Sequence, residues 1–511
     1  MHRAHFFGRQ NPPARFHGDF PHESRSDTWW CRQRLSASCL FPGRRHIGDS
    51  RIVCLADVDQ GVRFRHRRSR LLFFLRQFLL RPYARAAAHN LGWLITERLV
   101  RLLFTVLVGF AVARYLGPAN FGRLNYALAL VSLAMVVTQM GVEQIVRREI
   151  IQAPADAPAL LSAVWRLRLA AGVVCFLAVM GWTWMAETDG TTRTLLAIVS
   201  LLVFQPALTF ADLWLQANLR ARTAVIAQTV ALAAGAGIRL LLIVLLAPLW
   251  AFAVVGVVEA FFVAMLLTVM ARRAGMRVYA AGKTAALIRR LVAESWPLLL
   301  SSMAITIYMR IDLVMLQRLA GADVAGTYAA AVKISEVWYF LPMALASSVL
   351  PALIRARDSG PDAYAKRWQQ YFDGSAALAY GLSAPIALAA PWLVQLAYGA
   401  QFAAAGRVLA VHIWAAPFIF VGVARGQYLV NEKLTRFALI ASLLGALVNI
   451  GLNWFLIPRA GAVGAACATV ISYAIATWMS SFIHPAVRPV ARMQTRALLL
   501  PLTGWRYFRR T

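Results

Sequence analysis

Tyr308–Leu319 reads YMRIDLVMLQRL, and its charges Arg310 and Asp312 fall in the middle of a run, 296 to 319, that is otherwise almost wholly apolar. A charge at the centre of a membrane helix costs about 2.5–3.5 kcal/mol on insertion scales. A chain that keeps two there needs a polar spot inside lipid, provided that the run crosses a membrane. Composition says that it does. Hydrophobic residues make up 60% of the 511-residue chain and charged residues 15%, with a mean hydropathy of +0.59, the profile of an integral membrane protein.

Working outward, a span needs about 20 apolar residues to cross roughly 30 Å of hydrocarbon. Twelve runs qualify: 91–113, 124–145, 163–185, 194–215, 223–246, 249–270, 296–319, 325–350, 374–395, 403–428, 435–457 and 461–483. The expected fold is an all-α polytopic membrane protein with twelve transmembrane helices in two parallel six-helix lobes around a central cavity. The expected organisation is a basic extension over 1–90, one lobe over 91–270, a connection over 271–295, a second lobe over 296–483 and a basic tail over 484–511.

The formal charge of +31 would suggest nucleic acid on a soluble chain, so its distribution decides its meaning. Residues 1–90 hold 17 Arg against six acidic residues. Beyond them, basic residues punctuate the apolar runs. With the N-terminus inside, connections on the outer side hold six basic residues, and the inner connections with the tail hold twenty-four. This asymmetry orients the chain with both termini cytoplasmic.

Residues 1–90 show no sustained hydrophobic period and are expected to be disordered; they also fit upstream sequence joined by a misassigned start. LLFFLRQFLL, Leu71–Leu80, reads as an interfacial helix, and the basic cluster Arg63–Arg70 beside it suits anionic lipid better than nucleic acid. Cys31, Cys39, Cys54, Cys175 and Cys467 show no CxxC spacing, so neither a disulfide framework nor a metal site is expected. There is no P-loop, GxSxG or HExxH motif, so neither an enzyme nor a cofactor is expected.

Two loops suggest a repeat. GPANFG at Gly117–Gly122 follows span one, and GADVAG at Gly321–Gly326 follows span seven, 204 residues later. Pro248 before span six and Pro458 before span twelve are 210 apart. A six-helix unit used twice in one direction is a transporter architecture with its site between the halves.

Charges within the spans mark substrate or ion paths by default. They are Glu97, Arg98, Arg101, Asp212, Arg239, Glu259, Arg310, Asp312, Lys333, Glu336, His412 and Arg425. Glu97 with Arg101, and Lys333 with Glu336, have the spacing to pair on one helix face. Arg310 and Asp312, two apart, point to opposite sides, so Arg310 needs another partner: a ligand, or a carboxylate on a different helix. The expectation is that both face a hydrated passage. Pro206, Pro297, Pro342, Pro385 and Pro417 are candidate breaks.

ARYLGPANFGRLNYALAL, Ala113–Leu130, and the stretch Met309–Leu353 beginning MRIDLVMLQRLAGADVAGTYAAAVKISE resemble the polysaccharide exporter family. That family includes the O-antigen (Wzx-type) flippases of the multidrug/oligosaccharidyl-lipid/polysaccharide superfamily. AGAVGAACATVISYAIA, Ala460–Ala476, is a looser match. The resemblance covers roughly residues 90 to 485 and excludes the first ninety.

It implies transport of a polyprenyl-pyrophosphate-linked oligosaccharide from the cytoplasmic to the outer leaflet by ion-coupled alternating access. Membrane lipids surround the protein, and a polysaccharide polymerase and chain-length regulator are candidate partners. In that setting Arg310 is the first candidate to grip pyrophosphate, followed by Lys333, Arg239 and Arg101. Asp312, Glu336 and Asp212 would orient these cations or carry a coupling proton or sodium ion. A multidrug or organic-cation exporter and a lipid II flippase are the near alternatives. A membrane glycosyltransferase or polymerase is the distant one, because the chain lacks a sizeable outer loop for its catalytic groups.

Overall fold

The computed structural model describes residues 82–277, 284–358 and 360–503, with side chains in the first helix described from Phe104 onward. The expectations for residues 1–81, including the interfacial helix and the first three cysteines, lie outside the described residues, as do the side chains of Glu97, Arg98 and Arg101.

Among the described residues, ten helical segments are long and apolar enough to cross a membrane. Two of them, Phe104–Gln152 with 49 residues and Thr435–Phe482 with 48, are long enough for two passes each. Both contain a break in helical geometry at a glycine. Gly117 has φ 71° and ψ 171° inside Pro82–Gln139, and Gly461 has φ 52° and ψ −130° inside Thr435–Thr477. Such angles suit glycine because a Cβ would clash. Divided at these points, the segments make the expected twelve passes.

The passes turn the soluble pattern inside out. Large apolar side chains such as Leu388, Trp392, Leu447 and Trp454 are exposed, because lipid solvates them. Small residues fill the interior. Ala325, Ala329, Ala330 and Ala331 of span eight, and Ala462, Ala465, Ala466 and Ala468 of span twelve, are all buried. Without a hydrophobic drive between helices in lipid, close backbone approach and dispersion hold them together.

The two GxxxxG loops realise the repeat. Gly321, with φ 88° and ψ 174°, adopts nearly the conformation of Gly117. Gly122 and Gly326 then meet where spans two and eight cross. A Cβ on Gly122 would lie 2.0 Å from the Ala322 carbonyl oxygen, and one on Gly326 would lie 1.9 Å from that of Pro118. The contact is reciprocal, as for two copies of one unit related by an approximate two-fold axis.

Three of the five prolines break their helices. A 3-10 turn, Ser200–Phe204, precedes Pro206, another, Val337–Tyr339, precedes Pro342, and span ten divides into Ala404–His412 and Ala415–Asn431 just before Pro417. Each interruption spans or adjoins the residue four before the proline, whose carbonyl the ring displaces. Pro297 and Pro385 lie in uninterrupted helices, Thr284–Leu319 and Pro361–Tyr398. Membrane helices absorb a proline where neighbouring groups satisfy the freed carbonyl.

Candidate functional site

Span seven carries Arg310 and Asp312 on opposite sides, and the structure gives them opposite surroundings. Arg310 is about one-third exposed, and its Nη1 donates to Glu336 Oε2 of span eight at 3.4 Å. A carboxylate on a different helix is one of the two partners that the spacing left open. Asp312 is buried at 2% exposure. Its Oδ2 accepts from the Tyr328 hydroxyl at 2.6 Å and from Thr469 Oγ1 at 2.6 Å, and its Oδ1 accepts from Asn453 Nδ2 at 2.5 Å. Asn453 Nδ2 also donates to Asn449 Oδ1 at 3.0 Å.

The expectation that both charges face a passage therefore fails for Asp312, which is enclosed by spans seven, eight, eleven and twelve. The cause is helical geometry: two residues at 100° each turn a side chain through some 200°, away from its neighbour's environment.

The expected pairing of Lys333 with Glu336 is also absent, because Arg310 holds Glu336. Lys333 instead places its ammonium 4.5 Å from the centre of the Phe121 ring on span two, a cation–π contact. Among the described residues, no carboxylate lies within ion-pair distance of it. It lines a cavity of about 260 Å³, with Arg239, Glu259, Asn125, Phe121 and Phe252 among the other wall residues. The walls come from spans one, two, four, five, six and eight.

Arg239 enters this cavity already paired. Its Nη1 donates to Glu259 Oε2 at 2.6 Å across spans five and six. Gly235, one turn before Arg239, makes the room: a Cβ there would meet Glu259 Oε2 at 2.4 Å. Thus the chain surrounds Lys333 with cations whose charge is matched locally, Arg310 by Glu336 and Arg239 by Glu259, while Lys333 has no such match among the described residues.

Asp212 lies elsewhere. On the short helix Phe210–Ala217, its Oδ2 accepts from Gln216 Nε2 at 2.8 Å, and its Oδ1 is buried without a hydrogen bond. Gln216 in turn accepts from Arg147 at 2.7 Å. Asp212 belongs to this polar group, which includes Glu143 and Arg168, and not to the cavity. The backbone of Arg101 lies in the helix Pro82–Gln139; its side chain is outside the described residues.

His412 and Arg425 do not line the cavity either. His412 is buried with Nδ1 2.9 Å from Ser335 Oγ, and Arg425 is buried with Nη1 donating to Ser480 Oγ at 2.8 Å and to Ser481 Oγ at 3.2 Å.

Sequence reasoning missed Phe121 and the polar shell of Asp312. A signal for the latter exists: Asn449 and Asn453, four apart, place two amides on one face of an otherwise apolar span. Phe121 carries no such signal.

Among the described residues the arrangement joins a matched set of ion pairs, one cation without a carboxylate partner in an accessible cavity and one sealed carboxylate. It offers binding groups for an anion but no aligned nucleophile and base. No group of three or more metal-ligating residues occurs among the described residues.

A family model described as "Polysaccharide biosynthesis protein" matches residues 87–357, more than half of the chain, and the MatE model matches residues 297–455. No curated protein sequence matches. Among solved structures, the lipid II flippase MurJ in an inward closed conformation aligns with a TM-score of 0.62 at 13% identity, over 80% of this chain and 91% of that one. An inward-facing multidrug resistance MATE family transporter of the MOP superfamily aligns at 0.58 and 14% identity, over 79% of this chain and 96% of its own. The Vibrio cholerae MATE transporter VcmN gives 0.54 and 12%, over 77% and 95%. At these identities the likeness is one of fold. The family match covers both of the stretches that carried the resemblance, Ala113–Leu130 and Met309–Leu353. The chain is a multi-pass membrane transporter, not an enzyme, and it belongs to the polysaccharide biosynthesis protein family.

Proposed function

We propose that the protein is a flippase that carries a polyprenyl-pyrophosphate-linked oligosaccharide from the cytoplasmic to the outer leaflet of a bacterial inner membrane, for O-antigen, capsule or exopolysaccharide synthesis. The observation that carries this reading is Lys333. An ammonium facing an accessible cavity, with no carboxylate within ion-pair distance among the described residues, is a site for an anion. Within low-dielectric walls its attraction for a pyrophosphate is stronger than it would be in water. Arg239 adds a guanidinium held in place by Glu259, and Phe121 and Phe252 supply flat apolar faces.

The cavity volume of about 260 Å³ lies just below the roughly 300–1,000 Å³ of small-molecule sites. It fits a headgroup, so an oligosaccharide requires the cavity to open, as alternating access supplies. On this reading both termini are cytoplasmic, in keeping with the basic residues of the inner connections.

Asp312 is the coupling group. Its buried carboxylate accepts from the hydroxyls of Tyr328 and Thr469 and from the Asn453 amide, and a carboxylate oxygen is the group that carries a proton or a hard cation such as sodium. Asp212, remote from the cavity, is a structural member of its own polar group.

Export of organic cations, the other activity considered for this fold, would need an uncompensated carboxylate in the cavity. Glu259, the carboxylate among the described lining residues, is bound to Arg239.

The test uses inverted membrane vesicles loaded with lipid-linked oligosaccharide under an imposed ion gradient, with no protein, wild type or Lys333→Gln. The expected result is transfer to the lumenal leaflet by wild type and its loss in an inserted, folded Lys333→Gln protein. Transfer by wild type no faster than in protein-free vesicles, together with organic-cation efflux, would overturn the reading.

A further inference from the structure

The terminal helix Arg488–Leu498, RPVARMQTRAL, takes no part in the transport site. Val490, Ala491, Gln494 and Ala497 are buried. Gln494 Nε2 donates to the Thr477 carbonyl at 2.7 Å, Gln369 of span nine donates to the Met493 carbonyl at 3.2 Å, and the Tyr380 hydroxyl donates to the Leu498 carbonyl at 2.9 Å. The helix is therefore docked firmly on spans nine and twelve.

Its other face is basic. Arg488, Arg492 and Arg496 recur every fourth residue, which places them in one stripe, and all three are exposed. Between this stripe and span nine runs a groove of about 530 Å³ lined by Lys366, Gln370, Asp373, Arg492, Met493 and Arg496. Among the described residues no carboxylate lies within ion-pair distance of Lys366, Arg492 or Arg496, although Asp373 shares the groove. Exposed apolar residues flank the helix, Phe482 and Ile483 before it and Leu499 and Leu502 after it.

Three cations with no carboxylate partner among the described residues, converging on a groove whose helix is flanked by side chains that prefer hydrocarbon, describe a site for an anion attached to a lipid. We propose that this groove binds the phosphate headgroup of an anionic phospholipid. The flanking apolar residues sit among the acyl chains, and the docked helix fixes the cations at headgroup depth. A free phosphate would satisfy the cations but would leave the apolar border unused. The inference needs only that the chain spans a membrane and is independent of the transported substrate.

The test uses the full chain in detergent, with native mass spectrometry and added short-chain phosphatidylglycerol, phosphatidylcholine of the same chain length, or inorganic phosphate. Lys366→Gln/Arg492→Gln/Arg496→Gln is compared with Arg166→Gln/Arg222→Gln/Arg289→Gln, which removes equal charge from exposed positions elsewhere, and thermal melting checks folding. The expected result is that the preference for phosphatidylglycerol falls about tenfold or more in the groove variant and persists in the control. An unchanged preference in the folded groove variant, an equal fall in the control, or complete displacement of lipid by inorganic phosphate at matched concentration would each overturn the proposal.

Discussion

Arg310 and Asp312 stand two residues apart on one helix, yet one is part-exposed beside a single carboxylate and the other lies in a sealed network. Asp312 has hydroxyl and amide donors from three other spans and 2% exposure; Arg310 has one carboxylate at 3.4 Å and a third of its surface open. The difference teaches how a membrane chain accommodates charge. A group enclosed by neighbouring helices is saturated with hydrogen bonds, and one that faces an opening is held by a single contact. Lys333 continues the second pattern: because Arg310 occupies Glu336, Lys333 has no carboxylate within ion-pair distance among the described residues and remains available.

The largest expected effect is on the sealed side. Asp312→Ala removes the acceptor that Tyr328, Thr469 and Asn453 share and leaves them only their second contacts, to Thr469 Oγ1, the Ala465 carbonyl and Asn449 Oδ1, and should lower stability by about 1–3 kcal/mol in detergent melts. Asp312→Asn keeps the shape and should melt near wild type, while transport ceases to follow an imposed ion gradient. A stable Asp312→Ala protein would show that the network is not sealed.

On the open side, Lys333→Gln should leave the melting temperature nearly unchanged and slow oligosaccharide transfer by about ten- to a hundredfold, the worth of one charge-assisted hydrogen bond. A loss of folding instead would make Lys333 a structural residue.

The mildest expected change comes from Gly235→Ala, whose Cβ would press on the Glu259 carboxylate at 2.4 Å. A flexible side-chain end can yield, so stability should fall by about 1 kcal/mol or less, accompanied by a rise in the apparent KM for the lipid-linked substrate as Arg239 loses its anchor. Unchanged transport would remove Arg239 from the site.

The passes were legible because apolar length is a local property, and the break at Gly117 was legible because its loop motif is local too. The charged residues were also easy to find against an apolar background. Their partners were not. Arg310 meets Glu336 rather than Lys333 doing so because spans seven and eight pack side by side, and nothing in the spacing of Lys333 and Glu336 records that competition. Asp312 was assigned to a passage because sequence gives a helix two faces without saying which one a neighbour covers. The amides Asn449 and Asn453 were the available clue that span eleven does the covering.

The central claim is that Lys333 is the group that meets the substrate's anion and that Arg310 keeps it free by holding Glu336. Oligosaccharide transfer in vesicles by Arg310→Gln and by Arg310→Gln/Glu336→Gln tests it most directly, with Lys333→Gln alongside. Removing Arg310 alone should let Glu336 capture Lys333 and suppress transfer; removing Glu336 as well should restore transfer to near the wild-type rate, while Lys333→Gln stays inactive. A double variant as inactive as Arg310→Gln would contradict the account and place Arg310 itself on the substrate.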